Sequence, residues 1–301
     1  MKILVTGTHG QLATSLVEVA AGMPDITLVR VGRPGFDLSD PSSIRRAIIA
    51  EKPDIVVSAA AYTAVDRAED ERDQAYQVNV VGAACVAEAA ATLRVPVIHV
   101  STDYVFSGEA SHAYLEGDEA EPKTVYGYTK LRGEHAVASA NPRHLILRTS
   151  WVYSPFGSNF VRTMLRLAAE RRAIAVVADQ WGNPTSALDL AAAILLVATH
   201  RARDRYGIYH VTGEGETNWA GFARHVFRAS AAHGGPSAEV KDIATAEYRT
   251  KARRPLNSRL CCDKFERTFG WRAPPWQVST EEVVRRLLEV DYRNQSQGTG
   301  V

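Results

Sequence analysis

Lys2-Ile-Leu-Val-Thr6-Gly7-Thr-His9-Gly10-Gln11-Leu12 opens the chain, and its reading decides the fold. A short apolar run reads as a strand. Two glycines three positions apart follow at once, and Leu12, Leu16 and Val19 then recur at helical spacing. Such a turn lets backbone approach a pyrophosphate closely. The helix behind it offers free N–H groups and the positive end of its dipole. Ala13 takes the third small position, which still permits close packing of helix on strand. Gly7, His9, Gly10, Gln11 and Leu12 are therefore candidates for holding a dinucleotide.

The rhythm continues outward. Ile26 to Val31 reads as a second strand, and Pro41 opens a helix through Ala50, with proline in its favoured first turn. Asp54 to Ser58 is apolar throughout its centre, as a strand buried on both sheet faces should be. A helix from Ala75 to Leu93, a strand from Val95 to Val100, a helix ending near Ala140 and a strand from Leu145 to Thr149 complete the first half. Strands alternating with helices predict an α/β, Rossmann-like doubly wound parallel sheet with right-handed crossovers.

After Trp151 the alternation loosens. Helices are expected at Asn159 to Arg171 and Ser186 to His200, with a strand at Gly207 to Val211 that returns to the sheet. The reading divides the chain into a dinucleotide domain, residues 1–152 and about 183–212, and a smaller discontinuous C-terminal lobe, about 153–182 and 213–292. Residues 293–301, rich in Asn, Gln, Ser and Gly, read as a frayed tail.

The end of the second strand normally chooses the cofactor. A carboxylate there suits an adenosine ribose, and a basic group suits a 2′-phosphate. Here the stretch is Val29-Arg30-Val31-Gly32-Arg33, which favours NADPH over NADH and leaves both open. Asp37 and Leu38 flank the adenine position. Ala59, Ala60, Ala61 and Tyr62 follow the buried strand and are small enough, up to the tyrosine, for backbone to approach the cofactor.

Ser101-Thr102-Asp103-Tyr104 ends the next strand, where residues of an open parallel sheet meet ligands. Tyr126 and Lys130, spaced i and i+4, share one helix face. Together Thr102, Tyr126 and Lys130 suit hydride chemistry at a carbonyl. The phenol gives a proton, the hydroxyl donates to the developing alkoxide, and the ammonium holds the nicotinamide ribose and lowers the phenol pKa.

These residues resemble those of the extended short-chain dehydrogenase/reductases, and within them the dTDP-4-dehydrorhamnose reductase family. The matching segments span nearly the whole chain: the Gly7 turn, Ala59 to Glu69, Ser101 to Gly108, Val125 to Glu134, Arg148 to Tyr153, Asp179 to Thr185 and Arg253 to Leu260. The resemblance implies reduction of the 4-keto group of dTDP-4-dehydro-L-rhamnose, with Thr102, Tyr126 and Lys130 doing the chemistry. It implies Val65, Asp103, Tyr104 and Trp151 at the sugar and Asn159, Arg253 and Asn257 at the nucleotide diphosphate. Some members hold a metal through glutamates. Ser15 stands at one such position here, so no metal is carried over.

Four other readings compete with this one. A 4,6-dehydratase needs Asp-Glu after the threonine, whereas Asp103 is followed by Tyr104. A 4-epimerase shows no net oxidation of cofactor. A non-catalytic subunit like the methionine adenosyltransferase β subunit does not need the intact set. Reductases of other dTDP-4-keto-deoxysugars could keep the same three residues.

Composition sets the wider bounds. The chain has 301 residues, 46% of them hydrophobic and 23% charged, enough for a large core. A net charge of +1 gives no global field to attract nucleic acid or membrane. Three cysteines, two of them adjacent, make no disulfide framework, and no C-x-x-C pair suggests zinc. With no signal-like or membrane-length apolar run, the expectation is a cytoplasmic enzyme acting on a dTDP-sugar, with a homodimer left open.

Overall fold

The computed structural model describes residues 1–199 and 205–297, with side chains as far as residue 289. The first half follows the expected alternation: β1 (Lys2–Thr6), α1 (Gln11–Ala20), β2 (Thr27–Val31), α2 (Pro41–Glu51) and β3 (Ile55–Ser58). Asp40 caps α2 by accepting from the Ser42 N–H, and Pro41 fills the first helical position. All four residues of β3 are buried, which accounts for its unbroken apolar run.

The single helix expected at Ala75 to Leu93 is built in pieces. After the short α3 (Val65–Ala68), α4 (Arg72–Tyr76) widens into a π turn at Gln77–Gly82 before α5 (Ala83–Thr92). Gly82 lies in that turn against the Leu38 carbonyl, where a Cβ would come within 2.4 Å of the oxygen. Next come β4 (Val97–Thr102), a 3₁₀ turn at Asp103–Val105, α6 (Val125–Ala140) and β5 (His144–Thr149).

The second half contributes β6 (Val152–Tyr153), α7 (Phe160–Glu170), β7 (Ala173–Val177), β8 (Trp181–Gly182), β9 (Thr185–Ser186), α8 (Ala187–Thr199) and β10 (Gly207–His210). It ends with β11 (Thr217–Asn218), α9 (Trp219–Ala232), β12 (Glu239–Ile243), β13 (Asn257–Ser258), α10 (Asp263–Phe269) and α11 (Trp276–Gln297). Thus α11 is helical past Arg293, where a frayed tail was expected, and residues 298–301 lie outside the described residues. His200, the expected end of α8, also lies outside them.

The main sheet has the order β10-β5-β4-β3-β1-β2, and its pairings are parallel. The order of winding reverses between β1 and β3, so their carboxyl ends border the crevice where such folds bind ligands. Period-2 alternation in β1 sends Ile3 and Val5 to one apolar cluster, with Leu16, Leu190 and Ile194 of α1 and α8. Leu4 goes to the opposite cluster, with Ile44, Ile48 and Val86 of α2 and α5. Each sheet face is thereby covered by helices, as expected for a doubly wound sheet.

A separate cluster forms the second lobe. Tyr153, Met164, Ile174, Phe222, Trp276 and Val284 pack there, and β7 pairs in parallel with β12. Late residues also return to the sheet: Phe265 and Phe269 of α10 join the cluster built on β1 and α8. Arg286 on α11 makes two 2.6 Å bonds to Glu18 on α1, linking the C-terminal helix to the first one. No helix among the described residues is long and apolar enough to cross a membrane.

Candidate active site

Between the ends of β1, β2 and β3 lies a cavity of about 430 Å³. Gly7 leaves β1 at φ +103°, a conformation L side chains rarely adopt. Gly10 precedes α1 with no side-chain cap, so the first N–H groups of the helix remain available. The Thr6 hydroxyl accepts the Ala59 and Ala60 N–H groups at 3.0 Å each, drawing the loop after β3 beside the turn after β1. Gly7, His9, Arg33, Asp37, Leu38, Ala60, Ala61 and Tyr62 all line this cavity.

Other proposed cofactor residues are spent differently. Arg30 donates to the Thr8 carbonyl at 2.6 Å and so shapes the glycine turn from outside. The Gln11 carboxamide oxygen accepts from Ser154 and Asn159, tying α1 to the start of α7. Leu12 packs against the main core. Of the two arginines that suggested a 2′-phosphate, only Arg33 faces the cavity. An open glycine cradle, uncapped helix N–H groups and one facing arginine fit a nicotinamide dinucleotide phosphate.

Tyr126 and Lys130 lie in the first two turns of α6, whose N-cap Thr124 accepts from the Gly127 N–H at 3.0 Å. The helix sits close on the chain below: a Cβ at Gly127 would come within 2.1 Å of the Tyr104 carbonyl oxygen. Thr102, at the end of β4, stands beside the Tyr126 phenol, near enough to act on its pKa. The Thr102 hydroxyl also donates to Asp103 Oδ1 at 2.9 Å and accepts from the Tyr104 N–H at 3.2 Å. Asp103 is buried and its Oδ2 has no partner.

Lys130 is buried, 2% exposed, and its ammonium donates to the Val100 carbonyl at 2.7 Å. It also stands 3.2 Å from His99 Nε2, and His99 Nδ1 stands 3.1 Å from Ser58 Oγ. Sequence reasoning missed His99 and Ser58. They lie on neighbouring strands, and only the register of β3 with β4 brings them together.

A larger cavity, about 730 Å³, opens beside Tyr104, whose ring meets Tyr126 edge-on at 5.5 Å. Trp151, Trp219, Arg254, Asp66 and Ser258 also line it. Trp151 is held at φ +48°, stacked on Trp219 at 3.6 Å, and Gly182 leaves room for its indole. Of the proposed sugar contacts, Tyr104 and Trp151 line this cleft. Asp103 is buried beside it, and Val65 begins α3 next to Asp66.

The proposed diphosphate contacts are not brought together. Arg254, not Arg253, turns into the cleft, bonded to Tyr104 Oη at 3.0 Å and to Asp66. Arg253 is exposed and pairs with Glu109 at 2.9 Å. Asn257 clasps the Ala110 and His112 carbonyls, and Asn159 caps α7. Neither asparagine lines the cleft.

A family model described as the RmlD substrate binding domain matches residues 1–289. A dTDP-4-dehydrorhamnose reductase from Sinorhizobium fredii is 52% identical over 292 residues, covering 96% of this chain and 98% of that one. The chain belongs to the dTDP-4-dehydrorhamnose reductase family. It is similar in structure to the Clostridium acetobutylicum member, with a TM-score of 0.88, 34% identity, and 97% and 100% of the two chains covered. The Bacillus anthracis member, solved in complex with NADP, has a TM-score of 0.86 at 34% identity, with 96% and 98% covered. The chain is thus an oxidoreductase of this family, with its Rossmann-like fold.

For a reductase of this family the electrostatics of the site matter directly. Burial raises the Tyr126 pKa, and the Thr102 hydroxyl beside it opposes the rise. This corrects the expectation that Lys130 depresses the phenol: the ammonium is engaged with Val100 and His99 instead. Burial lowers Lys130 to about 8, opposed by Glu134, and pushes Asp103 up to about 6. His99 is held well below its ordinary value, by burial and then by Lys130, and is therefore neutral.

Proposed function

We propose that this chain reduces the C4 ketone of dTDP-4-dehydro-L-rhamnose to dTDP-L-rhamnose with NADPH, in the cytoplasm. The single observation that carries the reading is the meeting of Tyr126 with Thr102 beside Tyr104, at the edge of the cleft that holds Trp151 and Arg254. A carbonyl oxygen at that point would face a phenol and a hydroxyl together. In this reading residues 1–152 and 183–212 serve the cofactor, and 153–182 with 213–292 serve the nucleotide sugar. The separate apolar clusters support that division, except that Phe265 and Phe269 of the second part pack in the cluster of the first. Three free cysteines support a reducing compartment.

NADPH would supply a hydride, and Gly7, Gly10, Arg33 and Ala60 would hold it. The remaining work belongs to the chain. Tyr126, kept fully protonated by burial, gives its proton to the C4 oxygen as negative charge grows there. Thr102 has one hydroxyl proton, donated to Asp103 Oδ1. As charge grows on the C4 oxygen the hydroxyl turns from Asp103 to donate to the alkoxide. Lys130 uses two donors on Val100 and His99, leaving one N–H for the nicotinamide ribose.

Stoichiometry tests the reading. One NADPH should be oxidised for each 4-keto sugar consumed. Conversion of the nucleotide sugar with no net oxidation would indicate an epimerase or dehydratase in its place.

A pH profile tests Lys130. It is a cation below about pH 8 and neutral above it. Accordingly kcat/KM, measured as initial rates of NADPH oxidation from pH 6 to 10, should fall above about pH 8. A plateau reaching pH 10 would remove the charged lysine from the mechanism.

A further inference from the structure

Glu134 lies one helical turn beyond Lys130, so Tyr126, Lys130 and Glu134 follow one another at i, i+4 and i+8 along α6. Its carboxylate is 1% exposed and fully engaged. Ser101 Oγ donates to Oε1 at 2.5 Å, Arg148 Nε donates to Oε1 at 2.9 Å and Arg148 Nη2 donates to Oε2 at 2.7 Å. Ser101 and Arg148 face each other in the register of β4 and β5, and the next register pair is Thr102 with Thr149. One carboxylate therefore grips both strands one residue before Thr102. Among the described residues it makes the one ion pair with both side chains below a tenth exposed.

A buried ion pair is a poor way to gain stability, because desolvating both charges offsets their attraction. Its geometry offers another reason. Nearby, α6 is seated against backbone at Gly133, where a Cβ would come within 2.2 Å of the Asn79 carbonyl oxygen. The Gly133 contact seats α6 on the π turn, and the Glu134 carboxylate, through Ser101, ties the helix that carries the phenol to the strand that carries the hydroxyl. We propose that Glu134 is a positioning residue: by joining Ser101 to Arg148 it sets how far α6 stands from the end of β4, and hence the separation of Tyr126 from Thr102. The proposal rests on the reductase reading above.

Removing Glu134 would strand the Arg148 charge, whose Nη1 already lacks a partner, and the variant could fail to fold. Ser101→Ala is cleaner, because it frees the strand end and leaves the bidentate pair intact. Steady-state kinetics of Ser101→Ala should show kcat lowered about tenfold with KM for both substrates within about twofold, the pattern of misplaced reacting groups. Ser101→Thr, which keeps the hydroxyl, should restore kcat. Wild-type kcat in Ser101→Ala, or an equal loss in Ser101→Thr, would overturn the proposal. If the unsubstituted enzyme oxidises no NADPH with the 4-keto sugar, the failure lies in the reductase reading instead.

Discussion

Tyr126→Phe should lower kcat by about 10²–10⁴-fold while NADPH still binds with near wild-type affinity. In the proposed mechanism the phenol protonates the C4 oxygen, and Phe retains the ring that meets Tyr104 edge-on at 5.5 Å. What disappears is a proton donor standing beside Thr102. The raised phenol pKa sharpens the expectation, because Tyr126 remains protonated across the working range and serves as an acid in the reductive direction. Fluorescence titration with NADPH beside single-turnover kinetics separates the two effects. Equal losses in binding and turnover would mean the ring, not the hydroxyl, carries the function.

Thr102→Val should lower kcat by about 10²–10³-fold, the range for losing one donor to a developing oxyanion. Valine matches the shape of threonine, so the packing at the end of β4 changes little. The variant loses the bond to Asp103 Oδ1, the acceptor for the Tyr104 N–H and the hydroxyl beside the Tyr126 phenol. Thr102→Ser should recover most of the rate. If serine were no better than valine in pre-steady-state measurements, the hydroxyl would have no catalytic part.

Much of this was legible in sequence because it is local. A strand, two glycines and a helix follow one another between Lys2 and Ala20, and nothing distant is needed to see the turn. Tyr126 and Lys130 are likewise neighbours on one helix, whatever surrounds them. Tertiary facts were less legible. Which arginine of the Arg253-Arg254 pair enters the cleft depends on a turn of irregular backbone, anchored where Asp66 accepts the Ala252 N–H at 3.0 Å and pairs with Arg254. Asn257 reads like a ligand because it is polar, yet its amide is used on the carbonyls of Ala110 and His112. The direction of the Tyr126 shift was missed for the same reason. Burial and the engagement of Lys130 by Val100 are invisible until β4 and α6 are packed together.

The ¹H NMR spectrum of the sugar formed from dTDP-4-dehydro-L-rhamnose and NADPH tests the central claim most directly. The account predicts dTDP-L-rhamnose, its new C4 hydrogen showing the coupling pattern of that configuration, and one NADP⁺ for each molecule formed. Accumulation of the C4 epimer, or recovery of the unchanged ketone with NADPH intact, would contradict it.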